Sequence, residues 1–170
     1  MQTVYRDHPD VAIEGTLADT SFKQTDSYVL QEEGGARGGL FVVRGTGDQD
    51  AVLPAAAADM DVTKLLGFIM HETTREQGRK QPPSSFQDQI SVPMPFGKGD
   101  MIGVLRRGRI HVRSETAFTA GAEVFIRVSG AGDKGAVRTD ADTDAAVKLP
   151  SAVFLTSGDA GEIGVVEINL

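Results

Sequence analysis

The chain has 170 residues, 24 acidic against 17 basic side chains, a net charge of −7 and no cysteine. The length suits one domain with an appendage, and an apolar content of 40% supports one real core. The acid excess argues against a direct nucleic-acid partner, which calls for a basic stripe, and the missing thiols exclude disulfides, thiolate metal sites and a cysteine nucleophile.

Met1–Asp7 lacks the basic and then apolar pattern of a secretory leader, and no apolar run approaches the ~20 residues of a bilayer span, so neither secretion by that route nor a membrane partner is expected. Residues 1–36 read as an extended N-terminal arm. Their apolar residues, Val4, Tyr5, Val11, Ile13, Leu17, Phe22 and Tyr28, follow neither period 2 nor period 3.6, so the stretch is either disordered or an arm that orders against another surface, and the regular apolar spacers favour the arm. Residues 37–170 read as one β domain.

In that domain Leu40-Phe41-Val42-Val43 predicts a strand, stopped by Gly45-Thr46-Gly47-Asp48. Pro54 and the four alanines after it predict one short helix or helical turn, Leu65–His71 a strand, and Thr73–Ser85, with Pro82-Pro83, a loop. Met101–Leu105 and Arg109–Val112 flank Arg106-Arg107-Gly108, which reads as a hairpin connection. Thr119-Ala120-Gly121 predicts a turn, and the run after it sets Val124, Ile126 and Val128 on one face. Further runs end at Val137, Leu149 and Leu155, and Gly164–Leu170 closes the chain. Short strands, glycine turns and no long amphipathic helix predict a mainly β, antiparallel sandwich or barrel.

The strings that resemble chemistry lack its context. Gly130-Ala131-Gly132-Asp133-Lys134-Gly135 matches G-x-G-x-x-G, but Ala136–Thr139 predicts a strand where a dinucleotide site needs a helix N-terminus. Asp140-Ala141-Asp142-Thr143-Asp144 resembles the opening of a calcium loop, yet the required Gly and bidentate Glu positions hold Ala145 and Ser151. A solvated acidic loop is the default there, with a weak ion site the alternative. His8, His71 and His111 are dispersed, and no H-E-x-x-H or G-x-S-x-G string occurs. No catalytic residue, cofactor or metal site is therefore expected. Arg106, Arg107, Arg109 and Arg113 form the one basic cluster. They read equally as charges that guard a strand edge and as a contact for an acidic patch. Candidate partner-binding residues are Val4, Tyr5, Val11, Ile13 and Leu17 of the arm, with Arg106, Arg107 and Arg109.

Six segments, in order, resemble the cement or head decoration proteins of tailed bacteriophages: Glu14-Gly15-Thr16-Leu17-Ala18-Asp19, Val52–Asp59, Leu66-Gly67-Phe68-Ile69, Lys98–Leu105 leading to Arg109–Val112, Thr119–Phe125, and Gly164–Leu170. The loop over Thr73–Gln89 and the Gly34–Gly39 stretch depart from that pattern. The resemblance implies a jelly-roll-like or related β-barrel on the outer surface of the virion capsid, present in the host cytoplasm during assembly. It implies binding to the major capsid protein and to itself, as dimer or trimer, and carries over no enzymatic residue. The alternative is a receptor- or glycan-binding β module of a virion appendage, although the absence of Trp leaves little for sugar stacking.

Overall fold

The computed structural model describes residues 12–71 and 95–170. Val4, Tyr5, Val11 and the Thr73–Ser85 loop lie outside them. Nine strands are present among the described residues: β1 (Leu17–Leu30), β2 (Phe41–Arg44), β3 (Asp50–Val52), β4 (Leu65–Ile69), β5 (Met101–Arg113), β6 (Glu123–Arg127), β7 (Val137–Arg138), β8 (Ala146–Phe154) and β9 (Ile163–Asn169). The helical turn expected after Pro54 is a 3₁₀ turn, Ala57–Met60, whose leading amides of Ala55 and Ala56 donate to the Asp59 carboxylate at 3.0 Å.

The strand starts share a local device. Gly15, Gly39, Gly99, Gly121, Gly135 and Gly161 hold φ between 80° and 88°, each two residues ahead of a strand (β1, β2, β5, β6, β7 and β9). At all but Gly39 the amide that follows the glycine donates to the carbonyl three residues back, as Ala122 does to Thr119 at 3.0 Å. This is a type II turn, whose third position demands positive φ and so selects glycine.

The sheet runs β1-β3-β2-β4-β5-β9-β8-β6-β7, and β1 also pairs with β5. The first five strands therefore close on themselves. The pairings are antiparallel except β1 with β3. The remaining strands return to β5 as well, through a parallel bridge from Val137 to Ser114, the residue that follows β5. β5 is a wall common to both closures.

Two cores follow from this layout. The smaller draws on every strand of the first closure: Leu30, Val42, Ala51, Leu66, Ile69, Ile102 and Val104. The larger holds Phe41, Phe68, Leu105, Ile110, Ile126, Phe154 and Val166 among others, with Phe41 and Phe68 edge to face at 5.2 Å and Phe118 stacked on Phe154 at 4.8 Å. Each fully buried phenylalanine contributes about 1.5–3 kcal/mol. β2 and β4 feed both cores, which is why β4 is buried at all five positions.

Two readings of the sequence change. The first is the arm: from Leu17 to Leu30 it is a strand of the sheet, and Leu17 packs, partly buried, against the larger core. Its period was hidden by a bulge. Asp19 pairs with Arg109 and Gln24 with Arg107, so Thr20–Lys23 stand opposite Gly108 alone. Limited proteolysis of the folded chain is accordingly expected to leave a core that retains Leu17–Leu30; a stable fragment that begins near Leu40 would show that β1 separates from the body.

The second is the hairpin. Arg106-Arg107-Gly108 does not turn, and Met101–Arg113 is one continuous strand. Gly108 serves the partner strand instead. Its φ is +136°, and a Cβ there would lie 3.0 Å from the Phe22 carbonyl oxygen and 3.5 Å from the Lys23 Cα. The glycine makes room for the β1 bulge to cross.

Candidate interaction site

The arginines of β5 occupy both faces of the strand, as alternation requires. Arg106 is half-buried and faces Asp26 at 3.7 Å, and its buried Nε has no hydrogen-bond partner among the described residues. Arg109 donates from Nε to Glu167 at 2.7 Å and lies 3.6 Å from Asp19. The hydrogen bond and charge of Glu167 raise the Arg109 pKa above its ordinary value. Arg107 is different: its guanidinium lies over the Phe22 ring, 4.1 Å from the centroid, and no carboxylate pairs with it among the described residues. Phe22 is 58% exposed at the bulge. Lys23, next to it, is also exposed and has no carboxylate partner among the described residues. A cleft of about 260 Å³ runs along this edge, between Asp19, Phe22, Arg107, Arg109 and Glu167.

β5 is paired on both sides, so its arginines guard no strand edge, and the cluster divides. Arg106 and Arg109 are paired within the chain, whereas Arg107 and Lys23 have no carboxylate partner among the described residues and stand at the surface. Of the apolar arm candidates within the described residues, Ile13 is exposed at the surface and Leu17 is already packed on the core. Sequence reasoning missed Phe22 and Lys23 as site residues because only the tertiary pairing of β1 with β5 brings them beside Arg107. A large aromatic inside the polar run Asp19–Asp26 was the available signal.

Where β1 enters the body it is pinned. The Gly15 amide donates to the His111 carbonyl at 2.8 Å, and the Gly15 carbonyl accepts from the His71 amide at 2.8 Å. The Glu14 carboxylate takes Arg37 at 3.1 Å on one oxygen and Arg113 on the other, and is only 13% exposed. Glu14 therefore ties the start of β1 to the end of β5 and to the turn ahead of β2.

The acidic loop read as a calcium-like string is neutralised by arginine instead. Arg127, its side chain 4% exposed, donates to Glu115 at 2.8 Å, to Asp142 at 2.9 Å and to the Ser129 carbonyl at 3.0 Å. Arg138 reaches Glu115 at 3.1 Å, Asp140 at 2.8 Å and Asp142 at 3.2 Å. Burial of Arg138 works against its charge, but hydrogen bonds to Asp140 and Glu115, with the charges of Asp140 and Asp142, outweigh it and raise its pKa. Both arginines grip Asp142, the first of three consecutive left-handed residues, Asp142, Thr143 and Asp144, with φ of 44°, 54° and 69°. Among the described residues no group of three or more His, Asp or Glu side chains converges as a metal site requires. The glycine-rich string Gly130–Gly135 is the connection between β6 and β7, with no helix at its end.

These features describe a rigid β scaffold whose ion pairs fix loops and strand ends and whose charged, aromatic bulge stands outside. The chain belongs to the family of phage structural cement proteins (E217 gp24/Pam3 gp6), whose profile matches residues 1–169. A chain of the capsid of Myoviridae phage XM1 is similar in fold, with a TM-score of 0.68 and 17% identity, over 99% of this chain and 97% of that one. The N base of the head fiber gp8.5 of bacteriophage phi29 gives a TM-score of 0.43 at 10% identity, over 86% of this chain and 95% of that one. A search of curated protein sequences gives no match. Family membership makes the chain a phage structural cement protein, and the likeness to the XM1 capsid chain is one of fold.

Proposed function

We propose that this chain binds the outer surface of the phage head and stabilises contacts between neighbouring major capsid subunits. The observation that carries the reading is the match of essentially the whole chain to a family of structural cement proteins. The body suits the task. Two cores joined through β5 give a stiff platform, and repeated attachment over a symmetric shell multiplies modest contacts into high avidity. Self-association as a dimer or trimer, and residence in the host cytoplasm before heads are decorated, belong to the same proposal.

The test uses shells of the major capsid protein encoded with this chain, assembled without it. Purified protein is expected to co-sediment with expanded shells and to raise their thermal disruption temperature. Analytical ultracentrifugation of the protein alone reads the oligomer. Shells that neither bind the protein nor gain heat resistance would refute the proposal.

A further inference from the structure

The geometry points to the β1 bulge as the contact tip of the molecule: we propose that Phe22, Lys23 and Arg107 seat in an apolar hollow rimmed by carboxylates on the shell protein. The inference rests on the head-binding reading and names the surface and the chemistry through which it would act.

Three observations carry it. The bulge is built into the backbone, because four residues of β1 stand opposite the single Gly108, which has no Cβ to obstruct the crossing. It carries Phe22, largely exposed, with one face covered by Arg107 and the rest in water. Finally, Lys23 and Arg107 flank that ring without carboxylate partners among the described residues, in a chain with net charge −7 whose neighbouring Arg106 and Arg109 are both paired. An aromatic ring beside uncompensated arginine is the composition of an interface anchor, and its electrostatic complement is an acidic rim.

Charge also argues for the occupant. A two-fold contact between copies centred on this tip would set Arg107 and Lys23 against the same two cations of the other copy, since such an interface is self-complementary. A different protein surface fits better, and on the function proposed above that surface is the shell.

The experiment compares the parent chain with Phe22→Ser, with Lys23→Gln/Arg107→Gln, and with the triple variant, on the same shells. All three side chains are surface groups, so circular dichroism and melting temperature are expected to match the parent. Phe22→Ser is expected to weaken shell binding about ten-fold, as the loss of an interface anchor does. Lys23→Gln/Arg107→Gln is expected to weaken it at low salt and to flatten its salt dependence. A triple variant that decorates shells as well as the parent does would overturn the inference and leave head binding intact. A variant that loses self-association in the ultracentrifuge while still binding shells would overturn it too, by making a second copy the occupant. A parent chain that fails to bind shells removes the head-binding reading and this inference with it.

Discussion

Gly67→Ala is expected to lower the melting temperature by roughly 6–20 °C, on the order of 3–5 kcal/mol at 2–4 °C per kcal/mol for a domain of this size. Gly67 lies in the middle of β4 with φ of +146°, and a Cβ added there would sit 2.1 Å from the Leu105 carbonyl oxygen and 2.8 Å from the carbonyl carbon. Backbone on the central strand β5 cannot step aside cheaply. The unusual dihedral also marks a break in the alternation of β4, since Leu65 and Phe68, three residues apart, both face the larger core while Leu66 and Ile69 face the smaller. The pairing register with β2 slips at this same point, where Val42 meets Gly67 and Val43 meets Leu65. Gly99→Ala is the control. Its φ is +85°, but open space surrounds the added methyl, so only the left-handed conformation is penalised, by about 1–2 kcal/mol. Equal melting temperatures for the two variants would mean that β4 shifts away from β5 and that the close approach is not limiting.

Arg127→Gln is expected to destabilise the fold by about 3 kcal/mol, the low end for removing one partner of a buried ion pair. The low end applies because Arg138 remains within reach of both Glu115 and Asp142. The loss should be visible locally as well as globally. Without the Arg127 hydrogen bonds, Asp142, which opens the left-handed run, loses one of its two clamps, so hydrogen exchange should accelerate at Ala145, whose amide donates to the Asp142 carbonyl, and at Ala146 before it does in β5. Lys148→Gln provides the contrast. Its pair with Glu123 is more than half exposed on both sides, and such pairs contribute less than about 1 kcal/mol. If Arg127→Gln behaves like Lys148→Gln, the arginine network is ornament on a loop that holds itself.

The strands that the sequence announced are those with one buried face and a regular backbone. Val124, Ile126 and Val128 are all buried, on the face their alternation predicted. Two failures have one cause. β1 was read as an arm and β5 as a hairpin because neither four bulged residues nor a mid-strand glycine has a local meaning. Each is explained only by the other, across a pairing separated by about eighty residues of chain. The family segments were legible for the opposite reason. Gly15 carries the close contact with the His71 and Gly39 amides, Asp59 caps the 3₁₀ turn, and Gly67 meets Leu105. Gly164 lies under the Phe118 ring, where a Cβ would come within 2.4 Å of it. Each is a position at which the backbone permits little else, so the order of these residues along the chain records the fold even where the strands between them are generic. The partner surface left no such record. Arg107 was singled out with Arg106 and Arg109, and nothing in the sequence separates the one that is free from the two that are paired.

The antiparallel ladder between β1 and β5 has a mechanical consequence. Its register runs from Leu17 with Ile110 to Val29 with Met101, interrupted at the Thr20–Lys23 bulge. A pull applied along β1 from its N-terminal end loads those hydrogen bonds side by side, in shear, so that many must fail together before the strand slips. A pull across the sheet would instead open them one after another, as a zipper opens. Because β5 is in turn laced to β9 along seven residue pairs, tension that enters at residue 17 is passed directly into the second closure. The molecule therefore resists force most strongly along one axis, that of its longest strands.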